Sequence, residues 1–133
     1  MDRIAKRDDW KAIVMPDSRS TIAITRQYSD REFGRLSAGL IPREMEDKWF
    51  IYYEEPDLYL HRSWTGYCVY QVRFHPDGRF FSATSAVVNR DASQYTETVD
   101  EHDTMLLGIL MDQRTGRDTE KQWKTYSAAK RGA

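Results

Sequence analysis

The chain has 133 residues, 40% of them hydrophobic and 31% charged, a balance that suits one soluble domain built round a single core. Twenty basic against 21 acidic residues leave a net charge of −1, so no global field points to nucleic acid or to an anionic membrane surface. One cysteine, Cys68, excludes an intramolecular disulfide framework, and with no apolar signal core in MDRIAKRDDW and no membrane-length run the cytoplasm is the expected location.

In chain order, Met1 to Asp9 reads as a loosely held entry segment. Trp10 to Met15 and Thr21 to Thr25 are short apolar runs either side of a Pro-Asp-Ser-Arg-Ser breaker, a strand–loop–strand pattern in which the first run can also be a short helix. Ser29-Asp30-Arg31-Glu32 has the spacing of a capping box. Phe33, Leu36 and Leu40 follow at helical intervals with Gly39 and Pro42 as stops, which predicts a helix over 30–38. Residues 41–47 connect it to an antiparallel meander with strands near 48–55, 58–64, 67–74 and 79–88. Pro56-Asp57, Thr65-Gly66 and His75-Pro76-Asp77-Gly78 are the expected turns. Asn89-Arg90-Asp91 ends the sheet. Thr98 with Glu101 offers a second capping box, and Leu106, Leu107, Leu110 and Met111 form the apolar stripe of a helix over 100–114, with Asp100, Glu101 and Asp103 favoured by its N-terminal dipole. A last helix over 118–130 carries Trp123 and Tyr126, and residues 130–133 read as a loose basic end. The fold class is therefore α+β in a single domain spanning residues 1–133, a meander of four or more antiparallel strands with helices on one face.

Pairing Glu55 with Leu58, Trp64 with Tyr67 and Phe74 with Arg79 assigns side chains to faces, because strand periodicity is two. One face then carries Phe50, Tyr52, Tyr59, His61, Cys68, Tyr70, Val72 and Phe74, the expected bed for the helices. The other carries Trp49, Ile51, Leu58, Leu60, Arg62, Trp64, Tyr67 and Gln71. Such a surface suits a planar or anionic ligand held by stacking and charge-assisted hydrogen bonds, with Arg90 at the rim. It equally suits coverage by the N-terminal segment, or a homodimer or other protein partner.

Other constellations read as structural. His61 and Ser63 share a strand face, but no nucleophile elbow surrounds the serine and no orienting acid can be placed. His61, His75, His102 and Cys68 lack metal-ligand spacing, so neither a metal nor a cofactor is expected. Arg90 with Asp91 or Asp100 at a strand end can build a hydrolytic site, although Asn and Asp are also ordinary turn residues there.

MEDKWFIYYE, HRSWTGYC and VNRD, taken together over residues 40–112, resemble a family of small bacterial hypothetical proteins. That resemblance implies no established activity. Relatives lying near ADP-ribose-processing proteins tilt the expected ligand towards nucleotides. The expectation is thus a small binding domain using Trp49, Arg62, Trp64, Tyr67, Gln71 and Arg90. A protein-interaction module and an Asp91/Arg90 hydrolase are the alternatives, so catalysis stays an open question.

Overall fold

The computed structural model describes residues 4–132. Six strands form one antiparallel sheet: β1 (Arg19–Ser29), β2 (Trp49–Glu54), β3 (Asp57–Arg62), β4 (Cys68–Arg73), β5 (His75–Asp77) and β6 (Phe80–Asn89). Their order is β1-β6-β4-β3-β2, with the short β5 also paired to β6. The strand order from β2 onward is the meander the turn residues predict, with β1 closing its far edge against β6. The expected Phe74–Arg79 pairing does not form: β4 meets β6 with Tyr70 opposite Val88, five residues away from the expected register, and β5 pairs the start of β6 instead. Three helices, α1 (Asp30–Ala38), α2 (Asp100–Thr115) and α3 (Glu120–Gly132), complete an α+β domain. The predicted turn at His75–Gly78 itself contributes β5, because His75 and Asp77 pair with Ser82 and Phe80 across Gly78.

α1 starts on the capping box read from the sequence. Ser29 N–H donates to Glu32 Oε1 at 3.0 Å and Glu32 N–H donates to Ser29 Oγ at 3.2 Å. It stops at Gly39, whose φ of +74° favours glycine and whose missing Cβ would stand 2.2 Å from the Ile51 carbonyl oxygen. α2 begins differently from expectation. Its N-cap is Val99, and the Thr98–Glu101 box does not form; instead Glu97 Oε2 accepts the N–H groups of Thr98 and Val99 at 2.9 and 3.2 Å. A carboxylate one residue ahead of Thr98 supplies the same service with a longer reach. α3 continues through Lys130 and Arg131 to Gly132, so the basic end is helical as far as it is described.

The departure that decides which side chains share a face with β3 lies between β3 and β4. Leu60 faces Tyr70 and Leu58 faces Val72, but His61 faces Cys68, so one residue of register is lost at a bulge. The strands part at Arg62 and Tyr67, which leaves a four-residue loop, Ser63–Gly66, where a two-residue one was expected. One step of slip exchanges the faces of β4. Tyr70, Val72 and Phe74 therefore join Trp49, Ile51, Leu58 and Leu60 in the core beneath α1 and α2, with Phe33, Leu36, Leu107 and Met111 above them. Phe50, Tyr52, Tyr59 and His61 lie on the opposite side, away from the helices, which corrects the expected bed.

That opposite side is partly roofed by residues 4–18. Trp10–Met15 is an extended strap rather than a strand or helix; Ile13 bridges to Tyr67, and Trp10 and Lys11 donate to the Ser63 and Trp64 carbonyls of the β3–β4 hairpin. It is pinned at several points: Ala5 N–H donates to Ala38 O at 2.8 Å, Ile13 N–H to Gly66 O at 2.8 Å, and Arg7 pairs with Glu54. Ala5 is buried, so the described part of the entry segment is held; Met1–Arg3 and Ala133, expected to be loose, lie outside the described residues.

Candidate functional site

The four-residue loop puts Trp64 at the tip of the β3–β4 hairpin, where 65% of it is exposed. Its position is nevertheless fixed, because Nε1–H donates to the Met45 carbonyl at 3.0 Å. Ser63 holds the base of the same loop, donating its hydroxyl to Asp47 O at 2.6 Å and its N–H to Lys48 O at 2.9 Å. Beside the indole opens a cleft of about 300 Å³ lined by Lys48, Arg62, Trp64, Thr65 and Gln94. Arg62 lies over the buried Trp49 ring, its guanidinium carbon 4.9 Å from the ring centroid. This cation–π contact orients the group without neutralising it. Neither Lys48 nor Arg62 forms an ion pair among the described residues, and no carboxylate lines the cleft. Chemically, that is a place for an anion beside an exposed aromatic face.

The wall that carries Gln94 is set by the Asn89-Arg90-Asp91 strand end. Asn89 Nδ2 donates to Gln94 Oε1 at 2.9 Å and to Cys68 O at 2.9 Å, which ties the loop to β4. Asp91 accepts the N–H and hydroxyl of Ser93 at 2.9 and 2.7 Å, and these bonds hold its carboxyl below the usual range. Arg90 reaches Asp100 and Asp103, each at 2.7 Å. Asp103 is fully buried and its Oδ1 also accepts from Tyr70 Oη at 2.5 Å and Tyr95 Oη at 2.6 Å. Burial comes first in pushing the Tyr70 and Tyr95 hydroxyls far above the ordinary phenol range, with Asp103 adding to it, so both stay protonated donors. Tyr70 in turn stacks on Trp49 with ring centroids 6.0 Å apart. A continuous line therefore runs from Asp103 through Tyr70 and Trp49 to Arg62.

Of the residues the sequence singled out, Trp49, Arg62 and Trp64 come together, Trp49 as the platform beneath and the other two as lining. Gln71 does not join them. The bulge moves it to the opposite face, where its amide donates to Asp57 Oδ2 at 3.1 Å. Tyr67 sits at the base of the loop, its carbonyl taking Arg62 N–H at 2.9 Å, and is not among the cleft's lining residues. Arg90 stands behind the cleft as a scaffold, and the Asp91 carboxylate is engaged by Ser93, an arrangement of turn and anchor. His61 has Gly66 O and Tyr52 Oη as ring partners rather than Ser63. Lys48, Thr65 and Gln94 were missed. Gln94 carried one usable signal, its place in a polar loop directly after the strand end.

Two carboxylates, Glu97 ahead of α2 and Glu32 beside Arg117 past its far end, make the fold acid-sensitive. Burial alone would raise the Glu97 carboxyl, but Lys130, the Val99 and Thr98 N–H groups and His102 outweigh it and bring it to about 2. Arg117, followed by the Ser29 N–H, brings Glu32 to about 2. Both folded values lie below the ordinary 4.5, so their stabilisation is complete above that pH and is lost as pH falls towards 2. Urea midpoints should accordingly fall steadily below pH 4.5, after an earlier loss that begins below pH 6.5, where the unfolded His61 ring takes up a proton and the buried one resists it. A Glu97→Gln variant should show a shallower decline, and an unchanged slope would remove Glu97 from the account.

Among the described residues no group of three or more His, Cys, Asp or Glu side chains is placed to hold a metal ion, and no helix is long and apolar enough to cross a membrane. Compared with known proteins, the chain matches no family model, no curated protein and no solved structure.

Proposed function

We propose that this is a small cytoplasmic binding domain whose Lys48–Arg62 cleft takes the anionic group of a nucleotide-like ligand, with the ligand's planar part against Trp64. The observation that supports the reading is the pair of cations without ion pairs flanking an immobilised, solvent-facing indole. A cation without a carboxylate partner retains its full capacity for a charge-assisted bond, and Arg62 is already oriented by Trp49, so little ordering remains to be done on binding. Thr65 and Gln94 add neutral hydrogen-bonding groups at the edges. ADP is the probe, with inorganic pyrophosphate as the anion that cannot stack. ADP should raise the melting temperature. Arg62→Ala should weaken binding by about 10- to 100-fold, the worth of one hydrogen bond to a charged group. Lys48→Ala should weaken it less. Pyrophosphate should bind more weakly than ADP in the wild type and equally in Trp64→Ala. An ADP shift that survives in Arg62→Ala sinks the proposal.

A second reading, a protein-interaction module, rests on a different observation. Trp10, Met45 and Trp64 are 40%, 73% and 65% exposed and line a neighbouring cleft of about 350 Å³. Both indole N–H groups are held by backbone carbonyls, Trp10 donating to Ser63 O at 2.6 Å, so the rings present fixed apolar faces. Fixed tryptophans of this kind dominate protein interfaces. In its homodimer form this reading expects sedimentation to show a concentration-dependent dimer that Trp64→Ser dissociates; a monomer at every concentration rejects that form.

A further inference from the structure

A larger cavity than either cleft lies elsewhere, between the strap of residues 4–18 and the sheet face opposite the helices. It measures about 520 Å³, within the usual range of small-molecule pockets. Its floor comes from three adjacent strands. Tyr52, Tyr59 and His61 form an array of near-parallel rings, Tyr52 lying 5.0 Å from Tyr59 and 5.4 Å from His61 between centroids, with Gln71 and Cys68 alongside on β4. The strap is anchored on either side of the cavity by the Arg7–Glu54 pair and the Ile13–Gly66 bond, yet it does not fill the space between.

The hydrogen-bonding state of the floor follows from its partners. His61 Nδ1 lies 2.9 Å from Gly66 O, which can only accept, so that nitrogen bears the proton. Nε2 then accepts the Tyr52 hydroxyl proton across 3.3 Å, leaving the Tyr52 oxygen able only to accept from anything else. Burial holds the His61 ring neutral by lowering its pKa. Gln71 donates its amide to Asp57, which leaves Oε1 without a partner among the described residues, and the Tyr59 hydroxyl has none there either. The floor thus offers the Gln71 Oε1 acceptor beside the Tyr59 hydroxyl, because Arg7 already approaches the Tyr52 oxygen. Both arginines of the lining already face carboxylates, Arg7 with Glu54 and Arg19 with Asp17. Unlike the Lys48–Arg62 cleft, this cavity has no charge to neutralise.

We infer that the strap cavity is a second ligand site, which takes an uncharged planar heterocycle bearing an amino group, of the nucleobase class. The ring lies against the half-buried Tyr59, the Tyr52 ring beside it being almost wholly covered; its amino group donates to Gln71 Oε1, and its ring nitrogen or carbonyl accepts from Tyr59 Oη. Cytidine is the probe, and N4,N4-dimethylcytidine, which lacks the amino donors, the control. In NMR titrations of the full chain, cytidine should shift the Gln71 side-chain amide and the Tyr59 ring signals. Gln71→Leu should weaken it by about tenfold, the loss of one neutral hydrogen bond. The dimethyl analogue should weaken by at least as much, whereas Arg62→Ala should leave cytidine binding unchanged. Retained circular dichroism and melting temperature in Gln71→Leu separate lost binding from lost folding, and Tyr59→Phe, which removes only a hydroxyl, repeats the test. No shift at millimolar cytidine overturns the inference. So do equal binding of the dimethyl analogue and shifts that disappear with Arg62→Ala, since the last would place cytidine in the other cleft.

Discussion

Asp103→Ala should lower the unfolding free energy by about 3–5 kcal/mol, the usual result of removing one member of a buried ion pair. Domains of this size are stable by about 5–15 kcal/mol in all, so the variant should forfeit about a fifth or more of the total. The effect is large because three groups lose one acceptor at once. Tyr70 and Tyr95 keep only each other, 3.2 Å apart, so one of the two hydroxyls has nowhere to donate, and Arg90 keeps a guanidinium that is only 13% exposed at the side chain. Asp100, 56% exposed, remains as a partner for Arg90, but in high dielectric it compensates little. Asp103→Asn should be milder, because an amide oxygen still accepts from the tyrosines while the charge opposite Arg90 is gone. Urea denaturation of the two variants gives the ordering, and a loss below about 1 kcal/mol for Asp103→Ala would mean that water replaces the carboxylate at this place. A destabilised Asp103→Asn that still folds should also bind ADP more weakly, since Arg90 and Asn89 hold the loop that carries Gln94.

Asp103 also shows what the sequence could have yielded. It stands four residues before Leu107 and seven before Leu110, on the same stripe, so its spacing marks it as buried even though its position near the helix start invites a solvent-exposed dipole role. Local signals were the legible ones. The Ser29–Glu32 box, the Gly39 stop and the Leu107–Met111 stripe each depend on neighbours within four residues, and each appears where its spacing predicts; the order of the strands was legible too, though not the hairpin registers. Register across β3 and β4 was not legible. Both parities of these strands carry aromatic and aliphatic residues, because one face meets the helices and the other meets the strap, so the hydrophobic pattern barely penalises a one-residue slip. The bulge then decided which side chains reach the cleft. It ended β3 at Arg62, lifted Trp64 onto a loop and turned Gln71 away. Lys48 was within reach of the sequence, since it precedes Trp49, the hairpin partner of Arg62, whereas Gln94 approaches only through tertiary structure, from a loop after β6.

Trp49 joins stability to binding, and substitutions there should separate the two. Trp49→Ala should cost about 3–5 kcal/mol, as for other large aromatic truncations in a packed core, because the ring is 8% exposed and packs with Tyr70. Trp49→Leu refills part of the volume with apolar atoms and should recover about half of that loss. What leucine cannot restore is a π face for Arg62, whose guanidinium sits 4.9 Å from the indole centroid. Freed from the ring, Arg62 regains rotamers that must be frozen again on binding, and the cation–π contribution of about 0.5–2 kcal/mol is lost. ADP affinity in Trp49→Leu should therefore fall by roughly 3- to 30-fold while the circular dichroism spectrum stays native. Trp49→Phe, which keeps a smaller aromatic face, should lie between leucine and the wild type in affinity. The three variants thus rank by ring quadrupole in binding and by filled volume in stability. If affinity instead follows stability through the series, Arg62 is held by general packing, and the indole beneath it has no separate part in recognising the anion.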